Sequence, residues 1–411
     1  MWKFLALLLV AAAHGKNEFS GDKVLRITPT TENQVKYLKE WISLTPLELD
    51  VWREPGAAGN PVDIHIKAYD LGSVKSMLKE KDISFKVMMN DVGDAVEEER
   101  LSNQKNAFFS GFDYNQYNTY ENIKQELRSL ANRYSEKAST FSVGRSYEGE
   151  EMLGIKITDG NSGSKPVVWI DGGIHAREWI SPATVMYFTK ELLTSSRSDV
   201  SDALSKYEFY ILPVFNVDGY KYTHTGGRAR MWRKTRSRSG NGWCVGADPN
   251  RNWDHKFGGV GTSSNPCQDT YHGTSAFSEI EVRQVANYLR RLNLKSYWNV
   301  HAYSQLVLTP WSYTTRLPAD YGEIKRVADI FVNAVSRRYR TYYRAGPPSR
   351  ILYAVAGGSI DWVYAELGVK YSYALELRDR GSYGFVLPAR YIKPSGEETT
   401  DAFLAAINAM K

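Results

Sequence analysis

The sequence predicts an α/β protein: a mixed, mostly parallel sheet with helices on both faces, preceded by a small α+β open sandwich. Three observations carry that expectation. After Phe112, apolar strand-like runs alternate with helix-like runs, as in a sheet covered on both sides. Residues 16–105 instead interleave short alternating runs with helical periods, a separate small layer. The composition, 42% hydrophobic and 24% charged over 411 residues, is that of an ordinary globular chain too long for one small core.

Taken in order, residues 1–15 read as a signal peptide. Lys3 is the basic start, residues 4–13 the apolar stretch, and Ala13-His14-Gly15 a small-x-small cleavage site. No run approaches the roughly 20 apolar residues that span a bilayer, so a secreted protein without a membrane anchor is expected. The first domain should hold strands near residues 23–27, 47–52, 62–66 and 84–89, with helices at 32–42 and around Val74 and Leu78. His65 falls at a polar position of its strand and is expected at the surface. Residues 94–106, with Glu97-Glu98-Glu99-Arg100, lack an apolar stripe and read as a solvated connector.

In the second domain, residues 106–411, the buried strands should be 167–171, 209–216, 298–308 and 370–377. Helices are expected at 119–134, 182–193, 279–292, 321–339 and 397–410. The net charge of +6 is mild and argues against nucleic acid as the main partner. Cys244 and Cys267 are the only 2 cysteines. In an oxidising compartment they are expected to form one disulfide, worth roughly 3 kcal/mol in the chain-entropy model. A pair of zinc thiolates is the alternative and lacks any CxxC partner.

The chain is organised around Asp171-Gly172-Gly173-Ile174-His175-Ala176-Arg177-Glu178-Trp179, which joins an apolar strand-like run to a helix-like one. Ligands gather at such strand ends in α/β sheets. His175 and Glu178 are spaced to aim a nitrogen and a carboxylate at one point, a donor pair suited to zinc. That spacing alone is weak, because a solvated turn has the same pattern. His301, in the apolar run Trp298-Asn299-Val300-His301, is the best third ligand, against a hydrogen-bonded core histidine. His224, His255 and His272 sit in polar contexts and read as surface residues. Glu376 interrupts an apolar strand before Arg378 and Asp379, so it is either ion-paired or poised as a general base. The basic run Arg228, Arg230, Arg233, Lys234, Arg236 and Arg238 reads by itself as a solvated or anion-binding surface. No His-Glu-x-x-His occurs, so the helix-borne endopeptidase site is not supported.

Together these segments resemble the zinc metallocarboxypeptidases of the pancreatic procarboxypeptidase A and B family. The likeness rests on Gly-Ile-His175-Ala-Arg-Glu178-Trp, Met-Trp-Arg233-Lys-Thr-Arg, Asp-Pro-Asn250-Arg251-Asn-Trp, Tyr-His-Gly-Thr at 271–274, His301-Ala-Tyr-Ser-Gln, Gly-Gly-Ser-Ile360-Asp-Trp and Glu376-Leu-Arg-Asp. The resemblance implies one Zn2+ held by His175, Glu178 and His301, with water in the fourth position. It implies Glu376 as general base and Arg233 as the group that stabilises the oxyanion. Asn250 and Arg251 become the clamp for the substrate's terminal carboxylate, and Tyr353 a loop residue that closes over it. Arg177, Ala302 and Tyr303 become secondary substrate contacts, and Asp248 a partner behind a ligand histidine.

The residue at Ile360 lies at the base of the pocket for the last side chain in this family. B-type enzymes carry an acid there, so Ile360 implies an A-type preference for aliphatic or aromatic C-termini. Ala374 leaves the pocket roomier than the Thr often found at that position. Arg350, in Gly346-Pro347-Pro348-Ser349-Arg350, departs from the family's apolar segment and is expected to bring charge near the pocket. The resemblance further implies an inhibitory pro-segment, residues 16–105, released by a trypsin-like protease at Arg100 or Lys105, and a monomeric enzyme acting on peptide or protein C-termini. Two rivals remain at this point: a silent family member that binds C-termini without cutting, and an anion- or heparin-binding protein that uses the Arg228–Arg238 run.

Overall fold

A computed structural model of the chain describes residues 18–105, 112–161, 164–238 and 242–411. The expected signal segment and the residues just past Lys105 lie outside the described residues.

Near the N-terminus, β1 (Lys23–Thr28), β2 (Asp50–Arg53), β3 (Val62–Ile66) and β4 (Ser84–Met89) form an antiparallel sheet of order β2-β3-β1-β4. Helix Glu32–Leu44 starts at Thr31, whose side chain accepts from the Gln34 amide in a capping box. Val35 and Leu38 on that helix, and Val74 and Leu78 on helix Leu71–Glu80, are the buried positions. Strand alternation turns Val62, Ile64 and Ile66 towards this helical layer, where they share a core with Leu38, Val74 and Leu78. Asp63 and His65 therefore point to the opposite face.

That face is not solvated. It docks on the second domain, so Asp63 and His65 are 0% and 6% exposed. The expectation of a surface His65 fails here because its polar strand face meets protein rather than water. The connector, helix Val92–Lys105, differs from expectation for a similar reason. Val92 and Val96 are buried, and Glu99 is buried against Arg230 of the second domain. Arg100 stays exposed and pairs with Glu97 along the helix.

The second sheet contains β5 (Ala138–Arg145), β6 (Glu151–Ile157), β7 (Val167–Gly172), β8 (Glu208–Leu212), β9 (Leu294–Ala302), β10 (Leu306–Leu308), β11 (Arg344–Gly346) and β12 (Tyr371–Leu377). Its order is β11-β10-β12-β9-β7-β8-β6-β5. The central β12-β9-β7-β8 block is parallel, while β6 and β5 extend one side antiparallel and β10 joins β12 antiparallel on the other. The expected class holds.

Its details differ where single residues intervene. The strand expected over 209–216 stops at Leu212, because Pro213 has no amide to donate and Asn216 caps the helix Val217–Thr223. The strand expected over 298–308 divides after Ala302 into β9 and β10, with Gln305 at a φ of 59° between them. The antiparallel strands β5 and β6 had no counterpart in the sequence reading. In β5, exposed Ser139, Thr140 and Ser142 mask the strand signal.

Alternation also sorts the two faces. Trp298 meets Phe331 and Phe403 on the helices Tyr321–Tyr339 and Ile392–Asn408. Trp169 meets Tyr288 of helix Ile280–Leu289 on the other side. Register then places Asp171 opposite Asn299, Asn299 opposite Ala374, and His301 opposite Glu376. All five share the Trp169 face, near the C-terminal ends of parallel strands.

Candidate active site

Gly173 turns the chain sharply after β7 with a φ of +63°, a conformation that favours glycine. A Cβ there would come within 3.0 Å of Pro182. The Ser181 hydroxyl pins the turn by accepting from the Gly173 amide at 2.9 Å while donating to the Val300 carbonyl at 2.5 Å. The turn delivers His175 and Glu178 beside His301, which the end of β9 presents from the sheet.

The three side chains converge. His175 Nδ1 lies 2.8 Å from Glu178 Oε1, and His301 Nδ1 lies 3.1 Å from both Glu178 Oε2 and His175 Nδ1. Exposures of 4%, 3% and 2% remove them from solvent. Two imidazole nitrogens facing each other with a carboxylate can, in their unprotonated form, turn lone pairs on one point, which is what a cation requires. Zinc bonds of about 2.0–2.1 Å to nitrogen and oxygen donors fit that crowding, so the residues present suit the metal. Among the described residues this is the one cluster of three or more potential ligands that meets the spacing for a metal.

Charged neighbours set the field. Burial works against the Glu178 carboxylate, yet His175 and His301 outweigh it and hold its pKa below the ordinary value. Asp248 accepts from His175 Nε2 at 3.1 Å and from Arg233 Nη2 at 2.7 Å. Burial would raise Asp248, but Arg233 and Arg251 hold it well below the usual carboxylate range. Glu376 is pushed the other way, well above its ordinary value, first by burial and then by the nearby Glu178 carboxylate.

A cleft gathers the remaining predicted residues. His175, Glu178, Arg233, Asn250, Arg251, His301, Ala302, Tyr303, Tyr353, Ile360 and Glu376 all line it. Arg251 is oriented by donating to the Gly261 and Asn250 carbonyls, each at 3.0 Å. Asn250 Oδ1 accepts from the Ser359 amide at 3.0 Å. Arg177 does not line the cleft: it is turned towards the first domain, where it donates to Asp50 at 2.6 Å. Tyr303 donates to Asp63 at 2.7 Å.

Several expectations are corrected. The basic run is not a surface: Arg230 is buried against Glu99, Arg233 is half-buried and paired with Asp248, and Lys234 donates to the Pro266 carbonyl. Arg236 stacks on Tyr222 and Trp232, leaving Arg228 and Arg238 as its exposed members. His224 is half-buried, stacked at 4.2 Å on Trp179, and burial pushes its pKa down to about 3. His255 stacks on Trp311, and His272 Nδ1 meets the Gly273 carbonyl at 2.7 Å. Arg350 donates to the Thr315 carbonyl and is exposed, so its charge stays outside the pocket that Pro348 and Leu352 line. Cys244 and Cys267 form the expected disulfide.

Sequence reasoning missed Asn299 and the role of Asp171, both fully buried behind His301. Their signal was present, as polar residues in otherwise apolar strands. It also missed Trp52 and Arg53 of the first domain, which line the same cleft.

Comparison with known proteins agrees with this geometry. A family described as zinc carboxypeptidase matches residues 123–402, and one described as carboxypeptidase activation peptide matches residues 25–99. The chain is 40% identical over 399 residues to Carboxypeptidase A1 of Bos taurus, covering 95% of this chain and 94% of that protein. It is 39% identical over 401 residues to Carboxypeptidase A2 of Mus musculus, covering 96% and 95%. The crystal structure of thrombin activatable fibrinolysis inhibitor superposes with a TM-score of 0.85 at 35% identity, covering 95% of this chain and 98% of that one. With donors, cleft and both domains in agreement, the chain belongs to the zinc carboxypeptidase family, as an A-type metallocarboxypeptidase preceded by an activation peptide.

Proposed function

We propose that this protein is the secreted, monomeric zymogen of a zinc carboxypeptidase that removes aliphatic or aromatic residues from peptide C-termini. The observation that carries the reading is the shared strand face of His301 and Glu376, with Arg233 and Arg251 lining the same cleft. His175, Glu178 and His301 would hold Zn2+, which when bound supplies Lewis acidity that lowers the pKa of water towards about 7.

Arg251 binds the substrate's terminal carboxylate, through parallel hydrogen bonds that a lysine cannot make, and Asn250 assists. That clamp limits hydrolysis to the last peptide bond. Glu376 takes the proton from the attacking water and delivers it to the departing amine. Arg233, held by Asp248, presents its remaining donors to the carbonyl oxygen as negative charge develops there. Tyr353 closes over the bound end, while Arg177, Ala302 and Tyr303 contact residues upstream once the pro-segment has left. Ile360 and Ala374 shape the pocket for the last side chain.

Residues 1–15 act as the secretion signal, 16–105 as the pro-segment and 106–411 as the enzyme. A trypsin-like protease cuts at Arg100 or Lys105; the exposure of Arg100 supports that route. The test uses protein before and after limited tryptic digestion, with matched blocked peptides ending in Phe and Arg. Activity should rise on digestion, require zinc, and favour Phe. Faster release of Arg would sink the A-type preference, and equal rates before and after digestion would sink the zymogen reading.

A further inference from the structure

Behind His301 runs a chain of hydrogen bonds whose direction is fixed at its far end. The Trp169 indole N–H can only donate, and it reaches Asp171 Oδ2 at 2.7 Å. The other oxygen of Asp171 faces the Asn299 amide nitrogen. Burial raises the pKa of Asp171 to about 6, so at neutral pH it is an ionised carboxylate that only accepts, and the NH2 side of Asn299 then points at Asp171. Its carbonyl oxygen is thereby turned to His301, where it meets Nε2.

A carbonyl oxygen against Nε2 requires the proton to sit on Nε2. In the neutral ring Nδ1 then keeps its lone pair, and Nδ1 is the atom that faces His175 and Glu178 at 3.1 Å. Asn250 Nδ2 lies farther from Nε2, at 3.4 Å, and as a donor it cannot hold that proton. Trp169, Asp171 and Asn299 are each 0% exposed, so water does not compete for these groups.

We infer that Asn299 is a positioning residue, which selects the Nε2–H form of His301 and aims its Nδ1 lone pair at the metal. The inference rests on the zinc-ligand reading above. Asn299 touches neither substrate nor metal. It is the counterpart of Asp248 behind His175, so a neutral amide supports one histidine and a carboxylate the other.

The test measures zinc affinity of the full chain by chelator competition, for wild type, Asn299→Ala and Asn299→Asp. Asn299→Ala should weaken binding about 10–100-fold, the usual cost of losing an outer partner of a ligand histidine. Asn299→Asp keeps an acceptor towards His301 and shares one proton with Asp171, so its affinity should stay within a few-fold of wild type. Equal affinity for wild type and Asn299→Ala, or equal weakening in both variants, would overturn the inference. Long-range 1H–15N spectra of metal-free wild type need no variant: a His301 ring protonated on Nδ1 alone would also overturn it. If wild type takes up no zinc, the ligand reading itself fails; if it takes up zinc and Asn299→Ala does so equally well, only the role of Asn299 is lost.

Discussion

Arg177 of the catalytic domain donates to Asp50 of the activation peptide at 2.6 Å, and the arginine is 1% exposed. A group proposed to meet substrate is thus occupied by a carboxylate of the chain's own N-terminal domain. Asp63 holds Tyr303 in the same way, and Trp52 packs at 5.0 Å on Phe385. The expected consequence is that Asp50→Ala loosens docking. A charge-assisted hydrogen bond of this kind contributes about 1.5–3 kcal/mol, although Asp269 lies 3.4 Å from the same arginine and partly compensates. Uncleaved Asp50→Ala protein should hydrolyse a blocked dipeptide roughly 3–30-fold faster than uncleaved wild type. No increase would mean that the contact does not restrain the zymogen.

The first domain should also respond to pH through His65, whose Nε2 lies 3.0 Å from Asp22 and whose Nδ1 lies 3.2 Å from Asp50. Burial opposes its charge, but the two carboxylates outweigh burial and raise its pKa. Asp22 and Asp50 are held below their ordinary values: burial opposes this, while His65 lowers both and Arg177 lowers Asp50. The rings of Phe19 and Trp52 flank the histidine, and Arg228 acts on Asp22 from the second domain. A raised histidine gives stabilisation that is full below its unfolded pKa and lost as pH rises through the folded value. The depressed carboxylates give stabilisation present above their unfolded values and lost as pH falls through the folded ones. The first domain, and with it the Asp50 carboxylate presented to Arg177, should therefore be most stable in mildly acidic solution and weaken on the alkaline side. The ratio of tryptic cleavage rates, wild type over His65→Gln, should rise with pH; a flat ratio would remove His65 from the mechanism.

The legibility of this chain followed from how local each signal was. The parallel strands were visible because β7 and β9 are long apolar runs, and the ligands because each breaks such a run or its turn. His65 was misjudged because strand alternation reports only that a side chain leaves the local core, not whether a second domain waits on the other side. Arg230 and Lys234 were misjudged likewise: a string of cations looks solvated until Glu99 and the Pro266 carbonyl arrive from 131 and 32 residues away. Asn299 shows in the sequence as a polar residue in an apolar strand, but the direction of its amide depends on Asp171 and the Trp169 indole of the neighbouring strand, and no local pattern carries that.

Replacing Glu376 by Gln separates proton transfer from metal binding. Its carboxyl is raised by burial and by Glu178, and a dication held by His175, Glu178 and His301 would pull it back down. Gln keeps the shape and removes the base. The digested variant should lose about 10²–10⁴-fold in kcat while holding the same one zinc per chain. Undiminished turnover would displace Glu376 as the base, and loss of zinc would instead make it part of the metal site.

The pocket base offers the sharpest reversal. Ile360 is 4% exposed and shares the pocket with Leu308, Leu352, Val355 and Ala374, all apolar. A C-terminal Arg or Lys would bury its charge there without a partner, at several kcal/mol. Ile360→Asp supplies the missing partner, but beside it Asp361 is already an acid that burial pushes up to about 7 while Ser312 donates to it. The new carboxylate will therefore ionise reluctantly in the empty pocket and readily when a guanidinium enters, because the cation stabilises the charged form. Phe release should fall and Arg release rise, moving their kcat/KM ratio by about 10²-fold or more, with the larger gain for Arg at higher pH. An unchanged Phe-to-Arg ratio would show that the last side chain does not reach Ile360, and the A-type preference would then need another origin in the cleft.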